Sequence, residues 1–166
     1  MDSVWLVITF TLLAGLAMPV GALIARIEHF QSQWFEEELR HLIIAFGGGA
    51  LLSAVALVLV PEGIANLTLF TSLLFFISGS VCFMGIDILL VKINTPGSQL
   101  AAMLADFIPE SVALGAAFAT GKSNAVLLAV LIGLQNLPEG FNAYREMRSG
   151  NKFSANRLLI IFSALA

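Results

Sequence analysis

The chain has 166 residues, 58% of them hydrophobic and 11% charged, with a mean hydropathy of +0.94. Soluble domains carry about 25% charged residues, so this composition places the chain in the membrane class. A net charge of -3 without a basic stripe argues against a nucleic-acid partner, and the single cysteine, Cys82, excludes an intrachain disulfide or a Cys-x-x-Cys metal site.

Met1-Asp2-Ser3 carries no basic segment. The apolar run behind it exceeds the roughly 7–15 residues of a signal-peptide core, so it reads as a retained first span. A span needs roughly 20 apolar residues. Five stretches meet that length: 4–25, 42–60, 67–91, 100–120 and 124–144. Asp87 falls near the end of the third. A sixth run begins near Leu158 and reaches Ala166, about 13 Å at 1.5 Å per residue, so the natural polypeptide is expected to continue. The fold class is therefore an all-α, polytopic membrane helix bundle with five complete spans and the start of a sixth.

The joints are short. Pro61-Glu62-Gly63, Thr95-Pro96-Gly97-Ser98 and Gly121-Lys122-Ser123-Asn124 read as turns. The first loop, 26–41, is longer. It holds Glu36-Glu37-Glu38 and both histidines, His29 and His41, and reads as a solvated amphipathic stretch at the membrane surface. Small residues in the first span (Gly15, Ala17, Gly21, Ala22) and the second (Gly47-Gly48-Gly49-Ala50) let helix backbones approach closely. Arg26, Arg40, Lys92, Arg145, Arg148, Lys152 and Arg157 lie on one side of this topology and only Lys122 on the other. The bias predicts that loops one, three and five are cytoplasmic and the N-terminus outside.

Two segments break the apolar pattern. The fourth span reads Asp106-Phe107-Ile108-Pro109-Glu110-Ser111, and the fifth Gln135-Asn136-Leu137-Pro138-Glu139-Gly140. Asp106 and Glu110 share one helix face, as do Gln135 and Glu139. Folding the two spans into a hairpin about Lys122 sets Asp106 level with Glu139, and Glu110 level with Gln135, near mid-membrane. Pro109 and Pro138 deprive the carbonyls of Ala105 and Leu134 of their helical donors. No lysine or arginine stands near these depths, so Asp106, Glu110 and Glu139 would repel one another if bare. A divalent cation resolves that repulsion, and an oxygen-rich donor set suits hard or borderline cations. The alternatives are polar packing between helices and a proton relay without metal.

These motifs resemble the ZIP (Zrt/Irt-like) family of metal transporters, whose fourth and fifth spans carry His-Asn-x-Pro-Glu-Gly and a similar His-Asn/Asp-x-Pro-Glu-Gly. Ala17-Met18-Pro19-Val20-Gly21-Ala22 in span one and Leu59-Val60-Pro61-Glu62 closing span two resemble the family more weakly. The resemblance implies an eight-helix fold, with residues 1–166 a transmembrane transport domain cut within helix six. It implies a transporter of divalent metal cations in the plasma (inner) membrane, with zinc as the family substrate and iron or manganese as alternatives. Homodimers are implied as well. Glu110 and Glu139 take the ligand glutamate positions, Asp106 and Gln135 stand where histidines are usual, and Asn136 matches directly. Glu62 stands at the expected pathway entrance. Without an imidazole the set leans toward manganese, iron or magnesium, and Phe107, in place of an asparagine, argues against a second, bridged metal. No His-Glu-x-x-His, Gly-x-Ser-x-Gly or Ser/His pair occurs at membrane depth, so no enzyme is expected. The competing function is a non-transport membrane assembly protein whose intramembrane carboxylates serve helix packing.

Overall fold

In hydrocarbon every backbone N–H and C=O must find a partner within the chain, and an unbroken helix supplies them all. The computed structural model describes residues 2–27, 33–93, 96–121, 124–149 and 153–165, and every element among them is helical. They are α1 (Asp2–Ile27), α2 (Gln33–Ala54), a π-helical turn (Val55–Leu59), α3 (Val60–Asn66), α4 (Leu69–Ile93), α5 (Pro96–Ala119), α6 (Ala125–Ser149) and α7 (Ala155–Leu165). Among the described residues five stretches are long and apolar enough to cross a membrane: Val4–Ile27, Glu37–Asn66, Leu69–Ile93, Ala101–Ala119 and Ala125–Arg148. The chain is an all-α polytopic bundle. His29, Thr95, Lys122, Ser123, Lys152 and Ala166 lie outside the described residues.

Three joints differ from the sequence expectation. α2 already begins at Gln33, so Glu37, Glu38 and His41 ride on exposed helical turns rather than in a loop. Pro61-Glu62-Gly63 is not a turn. The π-helical turn lets the Val60 N–H reach the Val55 carbonyl, and Pro61 follows at the switch back to α-helix, so the widened turn takes up the proline and the helix continues. The second span therefore runs on to Asn66 and breaks at Leu67, whose backbone is extended at φ -122° and ψ 159°. Pro96 starts a helix: Pro96-Gly97-Ser98 forms the first turn of α5. The turn at Gly121 stands as expected. Its φ of 65° is left-handed, and its N–H closes on the Phe118 carbonyl at 3.0 Å.

The bundle is organised around α6, which packs along α1, is flanked by α2, and meets α5 more lightly. α1 and α6 run parallel, with Ala14 against Gly133, Met18 against Gly140 and Gly21 against Leu137. The contact between them is reciprocal. A Cβ on Gly21 would lie 1.9 Å from the Leu137 carbonyl oxygen, and one on Gly140 would lie 2.0 Å from that of Met18. Both positions require glycine because the opposing group is backbone. Gly47 of α2 faces the Pro138 ring, with a would-be Cβ 2.9 Å from Pro138 Cγ, whereas Gly48 and Gly49 face open space.

Buried apolar side chains form two clusters. One joins Ala14, Ala54, Val58, Leu114, Leu128 and Ile132, with the Phe10 and Phe118 rings stacked at 5.8 Å beside it. The other joins Met18, Met103, Tyr144, Met147, Leu158 and Phe162. On α5 and α6 the stretches between the clusters carry Asp106, Glu110, Gln135, Asn136 and Glu139. α4, by contrast, has no buried residue, and its apolar surface suits lipid contact.

Candidate cation site

A helix places residues four apart on one face. α5 thereby presents Asp106 and Glu110 together, and α6 presents Gln135 and Glu139. Pro109 lies inside α5 and Pro138 inside α6, each within one turn of these side chains. The structure joins the two faces: Gln135 Nε2 donates a hydrogen bond to Glu110 Oε1. Asp106 and Glu110 both stand within electrostatic reach of Glu139. Asp106 is exposed, Glu110 and Glu139 are half-buried, and Gln135 is 7% exposed. The other amide atom of that side chain, Gln135 Oε1, is buried without a hydrogen-bond partner. A buried acceptor left unmatched is unfavourable, so a donor or a cation at this oxygen would stabilise the site.

Not every expected residue converges. Among the described residues, no three His, Cys, Asp or Glu side chains are gathered closely enough to hold a metal ion. Asn136 turns away from Gln135, as successive helical positions must, by about 100°. Its Nδ2 donates to the Ala14 carbonyl of α1 at 2.9 Å, the residue is 1% exposed, and its Oδ1 has no partner. Glu62 stands apart on α3, where its Oε1 accepts from Asn66 Nδ2 at 2.8 Å.

One residue outside the sequence-derived set belongs to the same face. Asn142 lies seven positions after Gln135 and three after Glu139, and its Oδ1 is buried and unpartnered. The spacing 135, 139, 142 carries that signal, although the Pro-Glu motif ends before it. Two features give this layer its chemistry. It is rich in acceptors, with carboxylates and amide oxygens outnumbering the donors turned toward them. It also lies between the two apolar clusters along α5 and α6. No family profile, curated protein or solved structure matches the chain.

Proposed function

We propose that this protein carries divalent metal cations across a membrane, binding them between α5 and α6. The observation that carries the reading is the contact between Gln135 and Glu110, which ties two proline-bearing membrane helices together at a layer of carboxylates. Intramembrane carboxylates are costly unless paired, protonated or bound to a cation. Asp106, Glu110, Gln135 and Glu139 are the ligands of the proposal. On cation entry the Gln135 amide turns, so that Oε1 faces the ion in place of Nε2, and α5 closes toward α6 to bring Glu139 into the shell. The oxygen donors suit manganese and iron, and zinc follows from the resemblance to the ZIP family. The basic residues orient the N-terminus outside, in a plasma (inner) membrane.

A second reading is favoured by the same hydrogen bond. Polar side chains that bond across helices are a recognised means of membrane-helix association, and Gln135 with Glu110 would suffice for an assembly protein. Uptake into vesicles holding the purified protein separates the two. Transport predicts metal-dependent uptake that Glu110→Ala and Glu139→Ala both abolish. No uptake by the wild type, with helix packing or assembly impaired in Glu110→Ala, would leave the assembly reading.

A further inference from the structure

Gln135 and Asn136 are adjacent amides that reach in different directions, one to α5 and one to α1. Asn136 is almost wholly enclosed, at 1% exposure, and its donor is committed to the backbone of α1. Around that bond the α1–α6 seam is closed by backbone: Gly133 lies against Ala14, Gly140 against Met18, and Gly21 against Leu137. The seam fixes how far apart the two helices sit. Backbone contact at the glycines also hinders rotation of α6 about its axis, but van der Waals contact fixes an angle less narrowly than a directional bond does. The hydrogen bond narrows the remaining angular range.

We propose that Asn136 is a positioning residue for the cation site: its bond to the Ala14 carbonyl sets the rotation of α6, so that Gln135 and Glu139 face α5, and it does not ligate the ion. The proposal deepens the transport reading and rests on it for what the rotation serves. A rotation of α6 by one residue's angular step would turn Gln135 off Glu110 altogether. Sites of this kind lose affinity steeply when their supporting contacts slip by about 1 Å.

The discriminating variant is Asn136→Asp, which keeps the shape and replaces the donor with an acceptor set against a carbonyl. A ligand at this position would gain a carboxylate and bind Mn2+ more tightly. A positioning donor would lose its bond. We expect Mn2+ and Zn2+ affinity of the folded full chain to fall together by about tenfold, with their ratio unchanged. Asn136→Ala, which adds no charge, should act in the same direction and covers the case in which Asn136→Asp does not fold. A metal-free measurement runs beside these. In a Cys82→Ser background, Glu110→Cys with Gln135→Cys should be bridged by a short bifunctional thiol reagent, and adding Asn136→Asp or Asn136→Ala should sharply reduce the yield. Tighter Mn2+ binding in Asn136→Asp, or a changed Zn2+/Mn2+ ratio in either variant, would assign Asn136 as a ligand and overturn the proposal. So would unaltered bridging and unaltered affinity in a merely destabilised protein. If the wild type binds neither ion, the transport reading fails, and the bridging yield still decides whether Asn136 sets the rotation.

Discussion

The two sides of α6 are built on opposite rules. Toward α1 the surface is small and apolar, the backbones touch, and the one polar contact described there is an amide sunk beneath them. Toward α5 the surface is polar, two carboxylates on α5 face an amide and a carboxylate on α6, and Asp106 remains exposed. Close-packed backbone resists displacement, because any shift meets hard contact. A side-chain hydrogen bond can be exchanged for a bond to another partner at little net cost. The comparison teaches that α1 and α6 form the fixed part of the structure and that the α5–α6 face is where change is accommodated.

The hardest way to break this contrast is to add one methyl group to the seam. Gly140→Ala sets a Cβ 2.0 Å from the Met18 carbonyl oxygen, and Gly21→Ala sets one 1.9 Å from that of Leu137. Neither obstacle is a flexible side-chain tip, so the helices must separate. Overpacking costs about 1–3 kcal/mol, and backbone obstruction belongs at or above the top of that range. Both variants should lose most of their folded yield in detergent, as read by size-exclusion profile and unfolding midpoint. A normal midpoint for either would mean that the seam is looser than its geometry implies.

The opposite face predicts the opposite pattern. Glu110→Ala and Glu139→Ala remove half-buried carboxylates without filling or emptying the apolar clusters. Folding should persist, with the unfolding midpoint close to that of the wild type. Metal-dependent uptake should fall by at least about tenfold, as losses of metal-site residues do. Glu62→Ala, on α3 and bonded to Asn66, should have a smaller effect on uptake. Uptake unchanged in Glu110→Ala with Glu139→Ala combined would place the pathway elsewhere.

The contrast between the faces was only half legible in the sequence. The spans were legible because hydrocarbon thickness fixes their length, and the pairing of Glu110 with Gln135 followed from counting outward from a hairpin centre at Lys122. The fate of the prolines was not. Pro61 and Pro96 look like turn signals, yet a widened turn carries the helix through Pro61 and Pro96 starts one, and sequence alone does not say so. Asn136 was only partly legible for a related reason. Its place in the motif suggests a ligand, whereas the angular step from Gln135 points it at α1, and only the structure shows that its Nδ2 donates to the Ala14 carbonyl there. Gly21, Gly47, Gly48 and Gly49 all read as packing positions, yet a Cβ on Gly48 or Gly49 would meet nothing within 4 Å among the described residues.

The donor set on the open face can be sharpened without touching the seam. Asp106→His with Gln135→His supplies two imidazoles and removes one carboxylate. Imidazole is a borderline ligand that favours zinc over harder ions. Zinc should gain on manganese by on the order of tenfold, or about 1.4 kcal/mol, in competition uptake with equal concentrations. Absolute affinity for every divalent ion falls with the lost charge, so the ratio is the informative quantity. An unchanged ratio would mean that selectivity is set outside α5 and α6.

The smallest expected effect tests the seam rule at single-residue resolution, on the helix that flanks α6 from the other side. Gly47, Gly48 and Gly49 of α2 form a run of three in which only the first touches α6, through the Pro138 ring. Gly48→Ala and Gly49→Ala add a methyl group that meets nothing. Each replaces the weakest ordinary helix former with the strongest, worth up to about 1 kcal/mol in water, so each should leave the unfolding midpoint unchanged or slightly raised. In Gly47→Ala the same helical preference is opposed by a contact at 2.9 Å to Pro138 Cγ and 3.3 Å to Cβ. Proline is a closed ring on a buried helix and yields less than a free side chain, so the midpoint should fall, by about 1 kcal/mol in stability. The sign difference between neighbours is the measurement. If all three variants rose together, α2 would be moving freely past Pro138 and would not share in the fixed part formed by α1 and α6.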